Sequence, residues 1–166
     1  LEPHAAAVAI DPDGRIQVWS SVKNPFNVRS QLAKSLGVAE ERIRMNPVNV
    51  GGEFGGKGDG VELPVAYFLA QQAQAPVKIV MTYAEELSAS NPAHPTVITI
   101  RSGVKRDGRI LARTIRAVHA SGAYGALKSN TSLATWHYAG GQYRIEHADV
   151  EFMQIYTNTV PGGAEE

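Results

Sequence analysis

The sequence contains no cysteine. Disulfide bonds, thiolate metal sites and a cysteine nucleophile are therefore excluded within these 166 residues. An excess of charge of one sign is also missing, because 16 Lys and Arg residues balance 16 Asp and Glu residues. General nucleic-acid binders and proteins recruited by anionic lipid carry a net positive field, so neither class of protein is expected.

Long hydrophobic runs are missing too. No apolar stretch approaches the roughly 18 residues that a membrane-spanning helix needs, so we expect no membrane span. The first residues lack an initiator Met and the pattern of a signal peptide, and we interpret the chain as a piece of a larger protein. Because 43% of the residues are hydrophobic, the chain can bury a core, and we predict a single domain over residues 1–166.

Hydrophobic patterning predicts an α+β fold, in which a mixed sheet with hairpins is covered by two main helices. Asp11-Pro12-Asp13-Gly14 is a turn sequence and predicts a hairpin over residues 5–22. Asn24 followed by Pro25 is typical of a helix start, and apolar residues then recur every four positions until Gly37. The remaining predicted elements are an irregular, edge-like strand at 41–50, a helix at 61–75, a buried strand at 77–82, a hairpin at 96–119, a weak helix at 129–138 and a last strand at 148–158.

Six glycines occupy the ten positions from Gly51 to Gly60, between a predicted strand and a predicted helix. Such a glycine loop is unfavourable in chain entropy unless the backbone needs positive φ or is approached closely. Its main-chain N–H groups, close to a helix start, could form a cradle for an anion. A tight turn that packs only on its own protein is the alternative.

Gly51, Gly56 and Lys57 also fit the first seven positions of the phosphate-loop pattern of nucleotide hydrolases. The eighth position is Gly58, where that pattern needs a Ser or Thr hydroxyl to hold magnesium. The following glycines also delay the helix that should begin near the lysine. Nucleotide hydrolysis is therefore disfavoured.

The segment Gly51-Gly52-Glu53-Phe54-Gly55-Gly56-Lys57 resembles the Gly-Gly-Gly-Phe-Gly-Gly-Lys stretch of the molybdenum hydroxylases, the xanthine dehydrogenase and aldehyde oxidase family. Three further segments resemble that family in the same order: Glu2-Pro3-His4, Ser20 to Phe26 and Thr157 to Gly163. The resemblance implies the first part of the molybdopterin-binding domain in a large catalytic subunit. Such enzymes hydroxylate aldehydes or N-heterocycles, or oxidise carbon monoxide, with water as the oxygen source.

By this resemblance, the main-chain amides of Phe54 and Gly55 would contact the molybdenum cofactor, with Gly52 and Gly56 in the same loop and Lys23 beside it. It implies no side-chain metal ligand and no catalytic residue in this chain, because the general base lies further downstream. It also implies several partners: the remainder of the large subunit, iron–sulfur and FAD subunits or domains, and a small organic substrate. We expect a cytoplasmic location, and we expect the isolated chain to lack cofactor and activity.

Three positions depart from the family pattern. Lys23 stands where many members have a Gln that hydrogen-bonds a molybdenum oxo group, and Gly58 replaces the substrate-binding Glu of xanthine-oxidising members, which disfavours a purine substrate. Glu53 replaces a glycine and is expected to face away from an anionic cofactor. Lys23 and Gly58 leave open an assembly or interaction protein that keeps the fold without redox chemistry. Lys57, which matches the family, is either a solvated or salt-bridged surface cation or a group near the cofactor.

The five histidines are scattered, without the spacing of a metal site. His119 could be a general base, but a hydrogen-bonded structural role is favoured. Ser121 lacks the sequence context of a hydrolase nucleophile.

Overall fold

The computed structural model describes residues 2–124 and 141–163. The chain divides into two compact units, Leu1–Ser90 and Asn91–Glu166, and each unit contains its own β-sheet. The single domain over 1–166 stays a prediction. The helix predicted at 129–138 lies outside the described residues.

The sheet of the first unit has the strand order β3-β2-β1-β4. Strand β1 is antiparallel to both β2 and β4, whereas β3 runs parallel to β2. The elements of this unit are β1 (Ala5–Ile10), β2 (Ile16–Ser20), α1 (Pro25–Leu36), a 3-10 turn (Glu40–Arg42), β3 (Ile43–Asn46), α2 (Leu63–Ala73), β4 (Val77–Val80) and α3 (Tyr83–Ala89).

The core of the first unit lies between one face of this sheet and the helices α1 and α2. Alternate side chains of the strands are buried on that face because successive residues of a strand point to opposite sides. The predicted cover by two main helices is confirmed, since the apolar stripe of each helix is buried or half-buried there. The core includes Ala6, Val8, Ile16, Val18, Val28, Leu32, Ile43, Leu63, Ala66 and Ala70, with Leu36 and Tyr67 packed against it.

The predicted start and end of α1 are both confirmed. The Asn24 side chain accepts the main-chain N–H of Asn27 at 3.4 Å, and Gly37 ends the helix with a φ of +66°. Strand β3 lies at a sheet edge, as the proline in its segment predicted. The prediction of a buried strand at 77–82 is wrong, because β4 forms the opposite edge and Val80 is 55% exposed.

Helix α3 was not predicted from the sequence. It begins with a capping box, in which the Thr82 side chain accepts the N–H of Glu85 and the Glu85 carboxylate accepts the N–H of Thr82. The Thr-x-x-Glu spacing is a readable signal for a helix start. Its apolar periodicity over seven residues is too short to indicate a helix by itself.

The sheet of the second unit has the order β5-β6-β7, formed by β5 (Thr96–Val104), β6 (Ile110–Ala120) and β7 (His147–Ile155). Strands β5 and β6 form the predicted hairpin, and its turn places Gly108 at a φ of +87°. Strand β7 pairs with β6 in parallel. In the described part of the chain, no helix is long and apolar enough to cross a membrane.

Candidate functional site

The glycine loop joins β3 to α2 and has an unusual backbone at its centre. Phe54 has a φ of +46° and Gly55 a φ of +86°, so two consecutive residues are left-handed. A residue with a Cβ rarely adopts this conformation, whereas glycine adopts it freely. Phe54 is 56% exposed, Gly51 and Gly52 are also exposed, and Gly55 and Gly56 are half-buried. The loop is therefore partly accessible and held in an irregular shape.

Glu2 binds the glycine loop at Gly51, Gly52 and Lys57. Its carboxylate accepts the main-chain N–H of Gly51 at 2.7 Å and also pairs with the Lys57 ammonium. The main-chain N–H of Glu2 donates to the carbonyl of Gly52 at 3.2 Å. The hydrogen bond from Lys57, followed by that from Gly51, holds the pKa of the Glu2 carboxyl below its ordinary value. Glu2 is therefore an ionised anchor for the loop.

Lys57 is 1% exposed, so its predicted position at the surface is wrong, although the predicted alternative of a salt bridge is present. Its ammonium forms an ion pair with the Glu2 carboxylate. Helix α2 begins only at Leu63, whereas a phosphate loop needs a helix that starts near its lysine. Both observations support the sequence-based argument against nucleotide hydrolysis.

Lys23 reaches the glycine loop from the segment that leaves β2. Its ammonium lies 3.1 Å from a carboxylate oxygen of Glu53, and its main-chain N–H donates to the carbonyl of Lys57 at 3.0 Å. The side chains of Lys23 and Glu53 are 49% and 25% exposed. The two positions are thus in direct contact with each other although 30 positions separate them in the sequence.

The Glu53 carboxylate also turns back onto the main chain of its own loop. It accepts the N–H of Lys57 at 3.3 Å, and the carbonyl oxygen of Glu53 accepts the N–H of Gly56 at 2.9 Å. Partial burial opposes ionisation, but hydrogen bonds from Lys23 and from the main chain of Lys57 and Gly55 hold the Glu53 pKa below its ordinary value. Glu53 is therefore an ionised group on the loop. Its predicted orientation away from a cofactor stays a prediction.

The structure brings the predicted site residues together, since Gly52, Phe54, Gly55 and Gly56 lie in the loop that Lys23 contacts through Glu53. Their role in cofactor binding stays a prediction.

Sequence reasoning missed the contacts made by the buried side chains of His4 and Glu62. His4 is buried, its main-chain N–H donates to Glu86, and its Nδ1 lies 3.0 Å from the Glu86 carboxylate and 3.2 Å from Ser90 Oγ. The buried Glu62 carboxylate accepts the Ser20 hydroxyl at 3.1 Å. The Glu2-Pro3-His4 motif was visible, but spacing alone does not indicate the partners of these side chains.

In the second unit, His119 has the surroundings of a structural histidine. Its ring stacks on His94 with a centroid distance of 5.3 Å, meets the edge of Phe152 and hydrogen-bonds the Thr96 hydroxyl. Burial, and then the charge of His94, lower the His119 pKa. Within residues 2–124 and 141–163, no group of three or more His, Cys, Asp or Glu side chains is arranged to hold a metal ion.

Residues 1–165 match the sequence profile of the family described as "Molybdopterin cofactor-binding domain". The chain belongs to the molybdopterin cofactor-binding domain family. It is 31% identical over 163 residues to a protein of Bacillus subtilis (strain 168) named as a probable xanthine dehydrogenase component, covering 98% of this chain and 22% of that protein. It is 28% identical over 165 residues to the nicotinate dehydrogenase large molybdopterin subunit of Eubacterium barkeri, covering 99% and 39% of the two chains.

Solved structures share the fold of this molybdopterin cofactor-binding domain. Quinoline 2-oxidoreductase from Pseudomonas putida 86 superposes with a TM-score of 0.82 at 22% identity, over 99% of this chain and 22% of that one. The aldehyde oxidoreductase of Desulfovibrio gigas superposes with a TM-score of 0.79 at 21% identity, over 98% and 18%. The chain therefore spans between about a fifth and two fifths of the length of these relatives. The predicted family and fold class are confirmed.

Proposed function

We propose that this chain forms one wall of the cofactor pocket in the large subunit of a molybdenum hydroxylase. The observation that carries this proposal is the left-handed main chain at Phe54 and Gly55 in a partly exposed loop. An irregular backbone of this kind presents N–H donors to an anionic ligand without an intervening side chain. The molybdenum cofactor, when bound, would supply the two-electron oxidation chemistry of hydroxylation.

The residues at the loop fit an anionic cofactor. Main-chain donors at Gly52 and Phe54 would bind its polar groups, and Lys23 supplies a half-exposed ammonium beside them. Gly55 and Gly56 would give the loop its shape, because their N–H groups already donate to Glu53. A Cβ at Gly56 would approach the carbonyl oxygen of Glu53 to 3.2 Å, so a side chain there would crowd the loop. This chain contributes shape and hydrogen-bond donors, and we assign it no proton-transferring group.

The activity of the whole protein is part of the same proposal. The relatives include proteins named as dehydrogenases of xanthine and nicotinate and an oxidase of indole-3-acetaldehyde, which supports oxidation of a small organic substrate. Gly58 disfavours a purine. The proposed partners are the remainder of the large subunit and iron–sulfur and FAD subunits or domains, and we keep the cytoplasm as the proposed location.

Replacing Gly55 with Val in the full-length subunit tests the cofactor contact. Valine at a φ of +86° forces a β-branched side chain into the left-handed region and moves the loop main chain. We expect molybdenum per purified subunit to fall to background, whereas Glu53→Gln should retain most of it. Molybdenum is measured by elemental analysis, with circular dichroism to check folding.

Gly108→Val is the matched control, because Gly108 has nearly the same φ, +87°, in the turn between β5 and β6. It imposes the same backbone strain away from the loop and should leave the molybdenum content unchanged. A folded Gly55→Val subunit that keeps its full molybdenum content would make the loop a purely structural turn. A wild-type full-length subunit without molybdenum would favour the assembly or interaction protein.

A further inference from the structure

We infer that Lys23 and Glu53 act as one neutral unit, in which the Lys23 ammonium cancels the Glu53 carboxylate so that an anionic cofactor can approach the loop. This role presupposes the proposed function above. It makes Lys23 a positioning and charge-compensating residue, with no direct bond to the cofactor required.

The first observation is the position of the Glu53 charge. Glu53 directly precedes Phe54 and Gly55, and its carboxylate is held on the loop by the N–H of Lys57 at 3.3 Å. Hydrogen bonds from the main chain and from Lys23 lower its pKa, so the carboxylate is ionised at neutral pH. A fixed negative charge therefore lies beside the main chain that we propose for the anion.

The second observation is that Lys23 supplies the compensating charge. Its ammonium lies 3.1 Å from the Glu53 carboxylate. Lys57, the other lysine at the loop, is buried and paired with Glu2, so its charge is already balanced. Among the ion pairs of the described residues, Lys23 is the partner of Glu53.

These observations predict an asymmetry between the two partners. Removal of the Lys23 charge leaves an unpaired carboxylate beside the anion and repels it, whereas removal of the Glu53 charge leaves an additional attractive cation. A pair with only a stabilising role would show no such asymmetry, because either substitution would break the same contact. Half-exposed pairs of this kind contribute little to stability, so all variants should fold.

The experiment uses the full-length subunit with Lys23→Met, Glu53→Gln and the double variant. Methionine removes the charge and has no hydrogen-bond donor, whereas glutamine would restore the residue of the family pattern. We expect Lys23→Met to lower the molybdenum content about tenfold, and both Glu53→Gln and the double variant to retain at least half of the wild-type content. Arg29→Gln is the matched control, because it breaks the comparably exposed Arg29–Glu40 pair and should not change the molybdenum content. Pterin released on denaturation gives a second measure of cofactor, and melting temperatures check folding.

A double variant as poor in molybdenum as Lys23→Met would overturn the inference, since Lys23 would then bind the cofactor itself. A Lys23→Met variant with normal molybdenum would also overturn it. In both cases, loss of molybdenum in Gly55→Val would leave the proposed function standing. Full molybdenum in Gly55→Val would overturn the proposed function and this inference with it.

Discussion

The carboxylate of Glu2 and the ammonium of Lys57 form the charged contact that holds the glycine loop in place. Lys57 is buried, whereas the Glu2 side chain is 39% exposed. Removal of one member of a buried ion pair is more damaging than removal of the pair, because the other charge is left without a partner. Exposure of Glu2 to water reduces this effect without removing it.

Glu2→Gln should therefore lower the free energy of unfolding at pH 7 by about 1–2 kcal/mol. The folded-state pKa of Glu2 is lowered, so its contribution is complete above the ordinary value of 4.5 and is lost as pH falls through the lowered pKa. The difference between the variant and wild type should thus shrink steadily below pH 4.5. Urea denaturation at several pH values measures it.

Glu151→Gln provides the comparison for this prediction, since it breaks a contact with Arg116 in which both side chains are exposed. It should leave the free energy of unfolding nearly unchanged, because water screens the contact. An equal effect of the two substitutions would show that Lys57 does not depend on Glu2.

Residue-level prediction from the sequence succeeded where backbone geometry decides the residue type. Gly55 has the positive φ that the density of glycines indicated. Prediction failed for the burial of Lys57, because burial of a lysine depends here on a carboxylate 55 positions away in the sequence. The pairing of Lys23 with Glu53 likewise depends on where the chain returns after β3, which spacing does not encode.

At the scale of elements, helix α2 links the loop to the core. Its first residue, Leu63, is completely buried, and a Cβ at Gly60 would come within 2.4 Å of the Leu63 side chain. The end of the glycine loop therefore packs directly on the first turn of α2. The geometry of the loop depends on this hydrophobic contact as well as on ion pairs.

Leu63→Ala should destabilise the first unit by about 2–5 kcal/mol, because it removes buried methyl groups and leaves a cavity. Leu69→Ala on the same helix should cost less than about 1 kcal/mol, since Leu69 is 49% exposed. Urea denaturation followed by circular dichroism compares the two. Equal losses would contradict the packing described for α2.

Elements with a strong local signal were predictable, and those that depend on neighbours were not. Asn24, Pro25 and Gly37 mark the two ends of α1 in the sequence, and the structure confirms both. Strand β4 is apolar enough to be read as buried, but its position at a sheet edge follows from the order in which strands pair. Helix α3 shows only its Thr82–Glu85 cap in the sequence.

At the scale of the whole molecule, the family could be predicted because its motifs are spread from Glu2 to Gly163. The division into two compact units could not be predicted, because the sequence around residues 90 and 91 does not have the composition of a linker. Substrate and partners stay proposals, because this chain spans 22% of its relative from Bacillus subtilis.

The isolated chain should show no hydroxylase turnover, even after incubation with molybdenum cofactor. The single wall that we propose for this chain cannot exclude water or position a substrate, and we assign no general base to it. Oxidation of an aldehyde or an N-heterocycle, followed with an artificial electron acceptor, measures this, and the full-length subunit serves as the positive control. Turnover by the isolated chain above the cofactor-free background would contradict the prediction.

The contact between Glu2 and Lys57 also has a consequence for synthesis on the ribosome. Glu2 emerges first, but its partner follows 55 residues later, which takes several seconds at about 5–20 residues per second. Glu2 is therefore synthesised before the segment to which it binds. A nascent chain that has not yet released Lys57 cannot make this contact, so the glycine loop is fixed only after β1, β2, α1 and β3 have been synthesised.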